Sequence, residues 1–206
     1  MKKKTLRLDR GDKVPLEKPI IYFNLDESGV MVKEKGKGLK IRGRVVSAYT
    51  GRYWGKKKRW ELNNKRIFVE LYRPGDDVDT PEYTERLMKW LGKNYDLKEG
   101  VREFGATDGA PVLKKIVSLI NNNVPVASKF HASRNEFYKA YMEGIREGVN
   151  NWKDPDCLGY SAEGDIFRVL KSRLDAGSFN LRRAVSIFRS YRWRITRKSW
   201  WISNVS

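Results

Sequence analysis

Three carboxylates stand where they could act together: Asp26 in IIYFNLDESG, Asp108 in FGATDGAP and Glu163 in GYSAEGDIFRVLKSRLDAG. The first two close runs that read as strands. Glu163 heads the apolar stripe Phe167, Leu170, Leu174 of a predicted helix, the face on which a charge is out of place. Three clustered carboxylates repel one another unless divalent cations neutralise them. Two such ions, about 3.5–4 Å apart, clamp the attacking and leaving oxygens of a phosphodiester. Magnesium suits this role because it takes oxygen ligands and keeps several waters. Each acid also has a plainer reading. Asp26 and Glu27 suit a turn before Ser28-Gly29, Asp108-Gly109 is a common turn pair, and Glu163 in a first helical turn opposes the helix dipole.

Other site chemistries are short of residues. Cys157 is the single cysteine and His131 the single histidine. One cysteine excludes an internal disulfide framework, and a Cys/His zinc site within the chain lacks ligands. Nothing near His131 resembles a nucleophile motif. Carboxylates are the available machinery.

The formal charge is +18, from 43 Lys and Arg against 25 Asp and Glu. A charge of this sign favours a polyanionic partner, most commonly nucleic acid, although a solvated basic surface is the plain alternative. Two segments concentrate it. Around 52–66, Arg52, Lys56, Lys57, Lys58, Arg59, Lys65 and Arg66 are interleaved with Tyr53, Trp54 and Trp60. The run LRRAVSIFRSYRWRITRKSWW carries Arg189, Arg192, Arg194 and Arg197 among its cations and no acid. Cations give salt-dependent phosphate attraction and aromatics offer stacking on unpaired bases. Lys56, Lys57, Lys58, Arg59, Arg189, Arg192, Arg194 and Arg197 are therefore candidate DNA contacts. No apolar run approaches the roughly 18–20 residues that span a bilayer, and the lysine-rich start is not followed by a signal-peptide core. A cytoplasmic protein without membrane contact is expected.

The elements that must position these residues follow from periodicity. PIIYFNLDE (19–27), GVMVKEK, LKIRGRVVSAY (39–49) and KRIFVELY (65–72) read as strands of an antiparallel meander, with GRYWGKKKRWELNN as a basic loop. A helix is predicted from Thr80 as N-cap and Pro81, with Tyr83, Leu87 and Leu91 on its apolar face. A short strand over 101–109, a helix over 110–120 with Leu113, Ile116, Val117 and Ile120 inward, a strand over 124–130 and helices near 133–149 and 161–175 complete the order. Strands first, then alternating helices and strands, argue for an α/β fold: a mixed sheet with helices packed against it. At 206 residues the chain suits one substantial domain.

Four stretches carry a resemblance: IYFNLDESGVMV, KKKRWELNNKRIF, FGATDGAPVLKKI and NNWKDPDCLGYSAEGDIFRVLKSRL. In them the chain resembles the ISLre group of insertion-sequence transposases, DDE-type enzymes with a ribonuclease H-like core. The last stretch is the most specific, since SAEG followed by a helix and Arg173-Leu174 is a group signature. The resemblance implies a ribonuclease H-like mixed sheet flanked by helices, with Asp26, Asp108 and Glu163 as catalytic and metal-binding residues. It implies two Mg2+ ions, or Mn2+, and DNA as partner at element ends and target, with a homo-oligomer assembled on DNA. Ser128 precedes Phe130-His131 where the family carries an aspartate, and the interval from His131 to Glu163 lacks the family's helical insertion. The implied division is a basic leader (1–18), a shortened core (19–178) and a basic C-terminal segment (179–206).

The function expected is metal-dependent DNA strand cleavage and strand transfer. A non-catalytic nucleic-acid-binding remnant of a transposase and a structure-specific nuclease are the alternatives.

Overall fold

The computed structural model describes residues 13–35, 37–56, 58–76, 79–128 and 146–158. It is a mixed α/β fold built on a five-stranded sheet. The strands are β1 (Ile20–Glu34), β2 (Lys37–Tyr49), β5 (Arg66–Tyr72), β6 (Arg102–Thr107) and β7 (Asn123–Ala127), in the order β5-β2-β1-β6-β7. β1 and β2 pair antiparallel, as do β2 and β5, whereas β6 joins β1 and β7 joins β6 in parallel. A separate hairpin of β3 (Gly51–Gly55) and β4 (Arg59–Asn63) is inserted between β2 and β5. The helices are α1 (Thr80–Asn94), α2 (Pro111–Ser118) and the short α3 (Arg146–Asn150), followed by a 3₁₀ turn over Asn151–Lys153.

The parallel pairing of β6 with β1 requires a crossover, and α1 supplies it. The helix begins where the Asp79 carboxylate accepts the Glu82 N–H at 3.2 Å, so the cap is Asp79 rather than the expected Thr80. It ends where Tyr95 turns extended; the Tyr95 phenol lies 2.8 Å from the Ala48 carbonyl and 2.9 Å from that of Asn64. Tyr83, Leu87 and Leu91 face the sheet fully buried, as their spacing predicts. Burial of each such side chain contributes about 1.5–3 kcal/mol. With Leu113, Ile116, Val117 and Ile120 of the α2 region they pack on Ile21, Phe23 and Leu25 of β1.

The opposite face carries Tyr22, Tyr49, Phe104, Ala106 and Val126, against which Trp152, Cys157 and Leu158 pack. Tyr22 stacks on both Tyr49 and Phe104 at 5.4 Å between ring centroids. The Asn151 side-chain amide donates to the Pro125 carbonyl at 2.8 Å and the Trp152 indole to that of Ala127 at 2.9 Å, fastening this segment along β7.

Three expectations change. β1 is one continuous strand through Ser28-Gly29, where two strands and a turn are expected, because β2 pairs with it without a break from Tyr22↔Tyr49 to Glu34↔Lys37. The basic loop is the β3–β4 hairpin. Residues of the expected leader belong to the fold: Val14 exchanges backbone hydrogen bonds with Asn94 and Asp96 at 2.9 Å, and Leu16 packs on the core. No helix among the described residues is long and apolar enough to cross a membrane.

Candidate functional site

The parallel ladder of β1 and β6 runs from Ile20↔Arg102 to Leu25↔Thr107. Asp26 follows Leu25 within β1, and Asp108 follows Thr107 in the turn that leaves β6. Side chains alternate across a sheet, so Asp26 shares the face of Tyr22 and Asn24, the face that Phe104 and Ala106 take on β6. The Tyr22–Phe104 stack identifies these as one face. Neighbouring strands lie ~4.8 Å apart, so the backbones at Leu25 and Thr107, the residues before the two acids, are adjacent.

Their anchoring differs. Asp26 is the seventh residue of the 15-residue β1, 8% exposed, and its Oδ1 accepts the Glu27 N–H at 2.7 Å. It therefore lies within a central strand, neither at a strand end nor in a turn before Ser28-Gly29. Asp108 is half-buried in the turn between β6 and α2, and its Oδ1 accepts the Ala110 N–H at 2.9 Å. Gly109 takes φ +92° there, a conformation that favours glycine, and donates its N–H to the Thr107 hydroxyl at 3.2 Å. On the next strand the Ser128 N–H donates to the Thr107 carbonyl at 3.1 Å, continuing the β6–β7 ladder past its end.

Glu163, with the helix expected to carry it, lies outside the described residues. Among the described residues no group of three or more His, Cys, Asp or Glu side chains is arranged to hold a metal ion. Asp26 and Asp108 offer hard oxygen donors, a chemistry that fits Mg2+ or Mn2+ better than a soft or nitrogen-preferring ion.

Behind Asp26, on the α1 face, lies a charged network that sequence reasoning misses. The Arg44 guanidinium, 1% exposed, donates to Glu27 Oε2 from Nε at 3.1 Å and Nη2 at 2.8 Å. It lies 4.5 Å from the Tyr83 ring centroid and 5.3 Å from that of Tyr72. Glu70, also 1% exposed, accepts from Arg86 Nε and Nη2 at 2.9 Å and from the Tyr72 hydroxyl at 2.5 Å. Burial pushes the Tyr72 and Tyr83 phenols well above their ordinary range, and hydrogen bonding to Glu70 raises Arg86. The missed signal is a charge inside an apolar strand run, in RGRVVSAY and IFVELY alike.

At the other end of the sheet, burial, aided by Asp156, pushes the Tyr22 phenol up to about 12, and its hydroxyl donates to the Asp156 carbonyl at 2.8 Å. Arg102 bridges Asp154 at 2.5 Å and Asp156 at 3.3 Å, holding the 154–156 turn to the start of β6.

Of the candidate DNA contacts, Lys56 and Lys58 are exposed in the β3–β4 turn, and Arg59 begins β4. Lys57, Arg189, Arg192, Arg194 and Arg197 lie outside the described residues. No protein-family model matches the chain, and no curated protein sequence matches it.

Proposed function

We propose that this chain is the catalytic domain of a DDE-type DNA transposase with a ribonuclease H-like core, cutting a DNA strand and joining the freed end to target DNA. The observation that carries this reading is the register of the parallel β1–β6 ladder, whose last pair, Leu25↔Thr107, stands one residue before Asp26 and Asp108. The strand order, three antiparallel strands followed by two parallel ones, supports a ribonuclease H-like core, as does the crossover helix α1. The net charge of +18 supports a polyanionic substrate.

In this reading Asp26 and Asp108 hold two Mg2+ ions, and Glu163 completes the ligand set. When bound, the ions supply Lewis-acid stabilisation of the attacking and leaving oxygens of the phosphodiester. Asp26 contributes from a strand whose backbone is paired with β2 from Tyr22 to Glu34. Asp108 contributes from the turn into α2, where the Ala110 N–H fixes one carboxylate oxygen. Lys56 and Lys58, with Lys57, Arg59 and the C-terminal Arg189, Arg192, Arg194 and Arg197, attract the phosphate backbone. A homo-oligomer on DNA would bring two element ends together.

The test uses the full chain, supercoiled plasmid and 3′-hydroxyl duplexes drawn from the sequence flanking its coding region. Mg2+-dependent nicking followed by strand-transfer products is expected, with both lost in Asp108→Asn and in Glu163→Gln. Activity surviving the double substitution would sink the assignment. Cleavage without strand transfer would point to a structure-specific nuclease. Salt-sensitive DNA binding with neither Mg2+ binding nor cleavage would point to a non-catalytic remnant.

A further inference from the structure

The β3–β4 hairpin carries an aromatic surface that packing does not explain. Among the described residues the exposed large apolar side chains are Met31, Tyr53, Trp54, Trp60 and Leu119, so three of them sit on this one short ribbon. Trp54 is 60% exposed and Trp60 56%. They are cross-strand partners, edge to face at 5.4 Å between centroids and 81° between planes. The base of the ribbon is fastened. The Thr50 N–H donates to the Asn63 carbonyl at 3.1 Å, the Asn64 amide to the Thr50 hydroxyl at 3.1 Å, and Leu62 packs on the Tyr22–Tyr49–Phe104 cluster. The outer part presents its rings to water.

Cations share the ribbon with those rings. Arg52 lies 4.6 Å from the Trp60 centroid, and Lys56 and Lys58 are exposed at the turn. The single acid of the ribbon, Glu61, is engaged by the Tyr53 hydroxyl at 2.8 Å. A cross-strand tryptophan pair alone would stabilise a hairpin, but that role does not call for an arginine on the ring and exposed lysines at the turn. Ring faces flanked by positive charge complement a ligand that offers π-faces and phosphates together. A stacked duplex hides its base faces and displays hydrogen-bonding edges in the grooves, which an indole ring face cannot read. An unpaired strand exposes both base faces and phosphates.

We propose that the β3–β4 hairpin is a binding element for single-stranded DNA, in which Trp54 and Trp60 stack on unpaired bases while Arg52, Lys56 and Lys58 hold the flanking phosphates. It rests on the reading above for the choice of DNA as the polymer, and on none of the cleavage chemistry. On this assignment the chain grips DNA where its strands have separated.

The experiment measures binding of the full chain, in EDTA, to a fluorescent oligo-dT strand, a blunt mixed-sequence duplex and an oligo-U strand. The double variant Trp54→Ala/Trp60→Ala is expected to lose about tenfold in affinity for the dT strand and less than about twofold for the duplex. Trp54→Phe/Trp60→Phe retains most of the affinity, because a smaller ring still stacks. Lys56→Ala/Lys58→Ala weakens strand and duplex alike and flattens the salt dependence. An alanine double variant that melts like the parent and binds the dT strand equally well would overturn the proposal. So would an equal loss on strand and duplex, or tighter binding of oligo-U than of oligo-dT by the parent. Plasmid nicking and its dependence on Asp108 are measured separately in Mg2+, so absence of cleavage leaves the strand-binding result standing.

Discussion

Arg44 and Glu27 are register partners on β2 and β1, joined by two hydrogen bonds to one carboxylate oxygen, directly behind the strand that presents Asp26 to the opposite face. A one-residue slip of β1 would exchange the faces of Glu27 and Asp26, burying one carboxylate beneath α1 and removing the other from the site. The pair therefore resists the one error of register most damaging to the candidate site. Arg44→Ala leaves Glu27 without its main cation and opens space between Tyr72 and Tyr83. A loss of about 3 kcal/mol is expected in urea unfolding. Arg44→Met combined with Glu27→Met removes both charges and is expected to cost far less than Arg44→Ala. A single alanine variant within about 1 kcal/mol of the parent would show that the pair contributes little.

Glu103 supplies a pH dependence. It is 6% exposed on the α2 face, and its Oε2 has no hydrogen-bond partner among the described residues. Burial pushes its carboxyl from 4.5 up to about 7. Between those values the folded chain holds a proton that the unfolded chain has released. Stability therefore falls as pH rises from about 4.5 to about 7, by about 3 kcal/mol in total, and the loss then levels off. Glu103→Gln is expected to remove this slope and to stabilise the protein at pH 8, measured by urea midpoints across the range. A parent whose midpoint rises steadily from pH 5 to 7, with the variant parallel to it, would contradict the assignment.

If Asp26 and Asp108 hold Mg2+, substituting either changes how the fold responds to the ion. In EDTA, Asp26→Asn and Asp108→Asn are expected to keep most of the parent's stability, since an asparagine oxygen still accepts the Glu27 or Ala110 N–H. Adding about 10 mM Mg2+ is expected to raise the parent's melting temperature by roughly 3–6 °C for a millimolar site, and either variant's by much less. An equal shift in all three would place the bound ion elsewhere.

Gly105 lies where β6 crosses over Phe23. A Cβ there would fall 2.7 Å from Phe23 Cζ and 2.5 Å from Asn123 Oδ1. The Phe23 ring is fully buried and cannot swing clear. Gly105→Ala is expected to cost about 1–3 kcal/mol by overpacking, read from denaturant unfolding. Phe23→Leu in the same background should recover part of that loss.

Much of the fold is legible in the sequence where hydrophobic period and local chemistry agree. Tyr83, Leu87 and Leu91 identify α1 and its buried face, and Leu113, Ile116 and Val117 do the same for α2. Ser28-Gly29 misleads because a turn pair there is overruled by β2, which offers an unbroken partner through Ser28↔Gly43 and Gly29↔Arg42. The β3–β4 hairpin hides behind consecutive lysines, although Arg52, Trp54, Trp60 and Leu62 alternate in the manner of strands. Asp26 and Asp108 stand out as acids closing apolar runs. The pairing of the strands that carry them does not, because β1 and β6 are separated in sequence by four strands, two of them the β3–β4 hairpin, and a crossover helix.

The two acids differ in how firmly the chain holds them. Asp26 sits inside the longest ladder of the sheet, the kind of segment that exchanges its amide protons only through large-scale opening. Asp108 stands in the turn through Gly109, bonded to the N–H of Ala110, the residue that caps α2. A ligand held between them meets one stiff wall and one compliant one. Accommodation therefore falls on Asp108, and through Ala110 it passes into α2, so that occupancy of the site would register as a change in the mobility of that helix's first turn while β1 stays still.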